Sequence, residues 1–415
     1  MVKDYFGRSL FFVGLFVVAL SYLIGLFNLG VTMHFFVYGM GMLLITLGGL
    51  AYYFVKKRDK EISTTVRILF LLIVFWHFFI IFHDFQWNYS NARNIFIDQY
   101  TFWPYLMLFL MPFGANIRIL KKIFKLLRYF KYIWLMSLPY FLLNPELFSI
   151  AQDFFWMFGY GAGVLLILER EKKREKLLSL ISLIGALIVF LIMARRSMVL
   201  TCLYILLFYF FRTFSPKRKR YKKISIIIIG SIFLLCVYLF VFNTGYFSLF
   251  TSRIDQNTRE SVYEFFFSDL LKGGWGLYGK GMLGTYYAPL GYNINTSPYR
   301  ATIETGYLHL ILKGGYIELF LMCSLFIISI RRALTKGNNN LTKYAGLMLL
   351  GWLLDMAAFG LPAGNLMYMF IWIYVGIINS SLCKWPESVF IIGAKAFNNE
   401  STVVDKYGIT GSRIR

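Results

Sequence analysis

The residues of this chain best suited to chemistry are cations. Arg195 and Arg196 stand side by side between two apolar stretches, and Arg253, Arg259, Lys280 and Arg300 follow in a long polar segment. Guanidinium forks bind phosphate oxygens through paired, charge-assisted hydrogen bonds, and exclusion of water strengthens the contact. A pyrophosphate suits such a set. A pair of arginines also fits as headgroup anchors that snorkel from two helix ends. Just downstream, TIETGYLHLILKGGYIELF supplies Glu304, Tyr307, His309, Lys313 and Glu318. An ionised carboxylate beside arginines can take a proton from a hydroxyl, so Glu304 is a candidate base, with Tyr307 and His309 as candidate substrate contacts. Glu304 equally fits a helix N-cap or first-turn acid, and His309 fits an interior histidine.

Several other chemistries lack their residues. The chain contains no GxxxxGK[ST] loop, no HExxH and no cysteine cluster, so nucleotide hydrolysis and zinc proteolysis find no support, and no metal or cofactor is expected. The glycines of GGWGLYGKGMLG follow no parallel strand and read as a loop hinge. Cys202, Cys236, Cys323 and Cys383 lie in or beside apolar stretches and read as small core residues.

The elements that must position these groups are membrane helices. Of 415 residues, 58% are hydrophobic, 20% aromatic and only 15% charged, the composition of a chain dissolved in lipid. Apolar stretches at about 9–27, 35–55, 68–83, 102–117, 132–148, 150–168, 177–194, 197–211, 224–242, 303–330, 344–360 and 366–383 predict an all-α polytopic protein with about twelve transmembrane helices. The loops KKRDKE, RILKKIFKLLRYFK, EREKKREK, RTFSPKRKRYKK and RRALTKGNNNLTK then share one side, which places both termini in the cytoplasm. The net charge of +23 reflects this bias and attraction to anionic membrane lipids, not nucleic acid. Arg195-Arg196 falls on the cation-poor side. The RILKKIFKLLRYFK run has the pattern of an interfacial amphipathic helix. Four regions result: helices over 1–242, an outer loop over 243–302 with an amphipathic helix in SRIDQNTRESVYEFFFSDLLKG, helices over 303–383, and a polar tail over 384–415.

Three motifs in order resemble a known family. MARRSMVL is similar to the arginine element between two helices of the O-antigen polymerase and ligase superfamily, with Arg196-Ser197 matching and Arg195 replacing a serine. TRESVYEFFFSDLLKGGWGLYGKGMLGTYY resembles its outer-loop pattern, through Arg259 and Gly279-Lys280-Gly281. ETGYLHLILKGGYIEL resembles the ligase segment that begins His-Asn: Leu308, Gly315 and Leu319 match, Glu304 stands in the histidine's place, and Glu318 replaces a glycine. The resemblance spans about residues 185 to 330. It implies a GT-C-like fold and a metal-independent, inverting glycosyl transfer from an undecaprenyl-pyrophosphate-linked oligosaccharide at the outer face of the bacterial cytoplasmic membrane. Arg195, Arg196 and Arg259 would hold the pyrophosphate, and Glu304 would serve the acceptor. The absent histidine favours a repeat-unit polymerase, acting with a chain-length regulator, over a ligase. A flippase for lipid-linked sugars is the competitor from another class. It would bury charges along a central pathway in both halves, whereas the first six helices read as nearly charge-free.

Overall fold

The computed structural model describes residues 2–27, 29–55, 62–83, 85, 88–144, 147–168, 173–192, 195–213, 258–289 and 298–387. The expected span at 224–242, Arg253, Cys236 and nearly all of the tail lie outside the described residues. Within them a helix occupies every other expected span. These are α1 (Val2–Leu26), α2 (Val31–Val55), α3 (Thr64–Phe82), a short α4 (Tyr89–Ile97), α5 (Trp103–Gly114), α6 (Ile117–Leu143), α7 (Ile150–Leu168), α8 (Lys173–Ile192), α9 (Arg196–Thr213), the loop helix α10 (Thr258–Gly273), α11 (Gly306–Lys336), α12 (Asn340–Ala358) and α13 (Leu366–Asn379). A two-residue ribbon pairs Tyr286 with Arg300 and Tyr287 with Tyr299.

This is an all-α membrane protein. Among the described residues, six helices (α1, α2, α3, α7, α8 and α11) are long and apolar enough to cross a bilayer. Large apolar side chains such as Phe16, Phe36, Phe54 and Phe75 point outward at 63% to 77% exposure, a surface that only lipid tolerates. By contrast every residue of α13 is buried, the mark of a helix at the centre of a bundle.

Packing between helices relies on small residues, because lipid tails leave no hydrophobic gradient to drive association. Along the α1–α2 hairpin, a Cβ on Gly48 would stand 2.6 Å from the Phe11 nitrogen, and one on Gly14 would stand 2.7 Å from that of Ile45. The basic run RILKKIFKLLRYFK belongs to α6, which starts at an Asn116 cap and continues through Pro139. Most of its cations face outward as expected. Lys131 does not: it is fully buried and donates to Glu175 Oε2 at 2.9 Å and Ser179 Oγ at 3.1 Å, so this part of the run is an internal ion pair.

The expected amphipathic loop helix is present as α10. Phe266 and Leu270 bury against Tyr286, Ala288, Ile303, Ile311 and Leu312, while Leu271 is 81% exposed.

The glycine run behind α10 is not a hinge. It fills a break in α11, where Gly315 adopts φ 71°, ψ −170°. In an unbroken helix the Tyr316 N–H would donate to the Leu312 carbonyl. Here Tyr316 donates to Gly276 O at 2.8 Å, and the freed Leu312 carbonyl accepts from Lys280 N–H at 2.7 Å. Lys313 O likewise accepts from Gly281 N–H at 3.0 Å, and Gly314 O from the Trp76 indole at 2.9 Å. Loop backbone thus replaces the helix ladder, which is the condition for non-helical chain inside a membrane bundle. Gly279 and Gly281, at φ 75° and 72°, let the loop come this close: a Cβ on either would strike the carbonyl of Lys313 or His83.

Candidate functional site

A chain of close contacts joins the three segments that carry the candidate residues. Tyr263 of α10 lies 2.6 Å from the hydroxyl of Thr305, the cap of α11, through a hydroxyl–hydroxyl hydrogen bond. Gly306, the next residue, sits so near the last turn of α12 that a Cβ would meet Gly360 O at 2.7 Å. One turn back on α12, Asp355 accepts a hydrogen bond from Thr201 of α9 at 3.4 Å. Thr201 is five residues past Arg196, about 7.5 Å along the helix. The starts of α9 and α11, the loop helix and the end of α12 therefore gather at one end of the bundle.

The candidate residues differ in what they have left to offer there. Arg195 is exposed and lies within electrostatic reach of Asp153, near the start of α7, which also feels His34. Arg196 opens α9 and Arg259 lies in the first turn of α10; their side chains are outside the described residues, as is all of Arg253. Glu304 is exposed at the entry to α11, and the capping position belongs to Thr305. The carboxylate thus stands at the surface and not in a water-excluded site. Arg300 is half-buried on the short ribbon.

Three candidates are committed elsewhere. Lys280 bonds Asp269 Oδ2 at 2.6 Å and Thr285 O at 2.9 Å and lies 4.9 Å from the centre of the Trp275 ring, so its charge is matched within the loop. The Tyr307 hydroxyl donates to Leu353 O at 2.6 Å. His309 is 2% exposed, an interior histidine, with Nδ1 lacking a partner among the described residues. Four residues on, the Lys313 ammonium is satisfied by the carbonyls of Met282 and Gly284, both at 2.9 Å.

Sequence reasoning missed the acids at this end. Asp98 lies in the turn after α4, where burial raises its carboxyl above the ordinary carboxylate range. The Tyr100 N–H at 2.8 Å and the Lys313 charge oppose that rise. Asp153 and Asp355 were each legible as a single acid inside an apolar run, AQDFFWMF and WLLDMAAF, a costly placement that marks function by default. Deeper in the bundle, His77 bridges Tyr105 O at 2.9 Å and Glu318 Oε1 at 2.8 Å, while Glu318 Oε2 has no partner among the described residues. No group of three or more potential metal ligands occurs among the described residues, and the described cysteines are free.

No known protein family, curated protein or solved structure matches this chain.

Proposed function

We propose that this protein polymerises undecaprenyl-pyrophosphate-linked oligosaccharide repeat units into a surface polysaccharide at the outer face of the bacterial cytoplasmic membrane. In this reading about twelve helices form a GT-C-like bundle, and both termini and the basic loops lie in the cytoplasm. The gathering of the three motif-bearing segments at one end of the bundle, opposite Arg331, Arg332 and Lys336 at the far end of α11, supports the reading. Arg195 and Arg196 grip the pyrophosphate of the donor, and Arg259 shares its charge. An acceptor hydroxyl attacks the anomeric carbon from the opposite side as the bond to the pyrophosphate oxygen breaks. The hydroxyl proton passes to Glu304, and undecaprenyl pyrophosphate leaves. Stabilising that leaving group is the main electrostatic contribution, because it meets charge that develops in the transition state.

An exporter of lipid-linked sugars is favoured by one observation, the buried polar side chains Lys131 and His77 in the first half of the chain, which is less free of polar groups than its sequence suggests. Lys131 and His77 are bonded to carboxylates inside the bundle, however, which suits internal ties better than a transport path. Transfer to a different glycan acceptor, as by a ligase, uses the same donor chemistry.

One assay separates these readings. Purified protein in detergent is incubated with the lipid-linked repeat unit, and products are sized. Extended glycans with release of undecaprenyl pyrophosphate are expected. Only unreacted single units, with the protein folded, refute the polymerase. Detergent leaves no compartments, so transport cannot mimic the result.

A further inference from the structure

The loop that fills the break in α11 also walls a cavity of about 540 Å³ at the same end of the bundle, within the usual range of small-ligand sites. Trp275, Tyr278 and Tyr299 line it together with His83, Lys280 and Thr285. The rings are held in place from behind. Trp275 packs edge-on to Phe266, with centroids 5.6 Å apart, and donates its indole N–H to Asp269 O at 3.1 Å. Tyr278 leans on Trp76 and Phe79, both at 6.2 Å, and His83 stacks on Phe79 at 4.8 Å. Tyr299 meets Tyr287 edge-on at 5.7 Å. Tyr278 and Tyr299 are nonetheless 50% and 55% exposed.

The chemistry of the walls selects the occupant. A phosphate is disfavoured, because the one lysine among the described residues of the wall is already matched by Asp269, Thr285 O and the Trp275 ring. An acyl chain is disfavoured as well, since the Lys280 ammonium and the Thr285 and Tyr278 hydroxyls interrupt the apolar surface that it would need. A pyranose chain matches both features: its C–H faces lie flat on aromatic rings, and its rim of hydroxyls meets Thr285, His83 and the tyrosine hydroxyls. We infer that this cavity is a saccharide-binding subsite which holds the acceptor glycan, distinct from the arginines that receive the donor pyrophosphate. The assignment of the glycan as acceptor rests on the polymerase reading; saccharide binding by the cavity does not.

The test uses full-length protein in detergent and, as probe, oligosaccharides released by mild acid from the source organism's own surface polysaccharide. Saturation-transfer NMR reports sugar protons lying against aromatic rings, and titration gives Kd. Binding by the parent protein is expected, weakened about 10-fold by Tyr278→Ala and by Tyr299→Ala. Tyr316→Ala, at an exposed ring outside the cavity, serves as control and should leave Kd unchanged. Both test residues are half-exposed, so thermal melting should confirm that the variants fold. No binding by the parent protein at millimolar probe, or binding that Tyr278→Ala and Tyr299→Ala leave intact, overturns the subsite. The extension assay separates the two claims. Ring-dependent binding without any extension refutes the polymerase and keeps the subsite, whereas extension by Tyr278→Ala at unchanged acceptor KM does the reverse.

Discussion

Gly315→Ala tests whether the loop and α11 are one structural unit. At φ 71°, ψ −170° the residue occupies a region essentially reserved for glycine, and forcing alanine there costs about 1–3 kcal/mol. A methyl group would also collide with the Leu277 carbonyl, so the loop must retreat. Retreat breaks the bonds from Tyr316 to Gly276, Lys280 to Leu312 and Gly281 to Lys313, at about 1 kcal/mol each. The combined loss is roughly 4–6 kcal/mol if all three break. The alternative arrangement, a straight helix with the loop lying outside, predicts the opposite sign, since replacing glycine by alanine in a helix interior gains about 1 kcal/mol. Thermal unfolding in detergent gives the sign, and trypsin cleavage after Lys280, read by mass spectrometry, reports whether the loop has left the break. Gly274→Ala is the matched control: φ is 63° there, but a Cβ would meet nothing within 4 Å, so only the backbone strain of about 1 kcal/mol should appear. An unchanged or raised melting temperature for Gly315→Ala, with Lys280 still protected, would refute the docked loop.

Three further outcomes are expected. Arg196→Ala should slow glycan extension by about two to three orders of magnitude at normal protein level, by analogy with loss of an oxyanion donor, and Glu304→Gln should abolish it; wild-type product lengths from either variant would remove that residue from the reaction. His77→Ala leaves the Glu318 carboxylate buried with neither oxygen bonded and should destabilise the fold by about 3–5 kcal/mol. Glu318→Gln should cost clearly less, and equal melting temperatures for the two variants would contradict the pairing. Burial holds the Asp98 carboxyl above its unfolded value, so folding favours the protonated form, and that contribution is lost as pH rises through the folded value. Asp98→Asn should therefore flatten the fall in stability just above the ordinary carboxylate range, and an unaltered pH profile would count against the buried assignment.

Helix positions were legible in the sequence because apolar runs, basic loops and cap residues such as Ser63, Asn116 and Asn339 are local signals. The polar stretch after His83 reads as loop yet holds α4, started by Asn88 accepting from Asn91 N–H at 2.7 Å. Its nine residues are too few to show periodicity against so many polar side chains. The two ends of the candidate site fared differently for a physical reason. Cations placed against the charge bias stand out by counting, so Arg195 and Arg196 were visible. Whether a charge is already spent depends on partners far away in sequence or around a turn. Thus Lys280 gave no sign of its bond to Asp269, and nothing in GGWGLYGKGMLG announced that Leu312 and Tyr316 would need its backbone.

That backbone dependence bears on how an acceptor could be aligned. Hydrogen bonding between Lys280 and Leu312 ties the aromatic cavity to the helix that Glu304 leads into, eight residues and about 12 Å from Leu312. The Tyr263–Thr305 bond fixes the loop helix to the same entry a second time. In the proposed reaction, a glycan resting on Trp275 and Tyr278 would thereby be referenced to the Glu304 segment through two ties instead of a flexible linker. Catalysis by positioning demands such a frame, since an error of about 1 Å in a reacting hydroxyl can cost two orders of magnitude. The glycines of the loop make the first tie possible: only residues without a Cβ let one strand of backbone come near enough to another to complete its ladder.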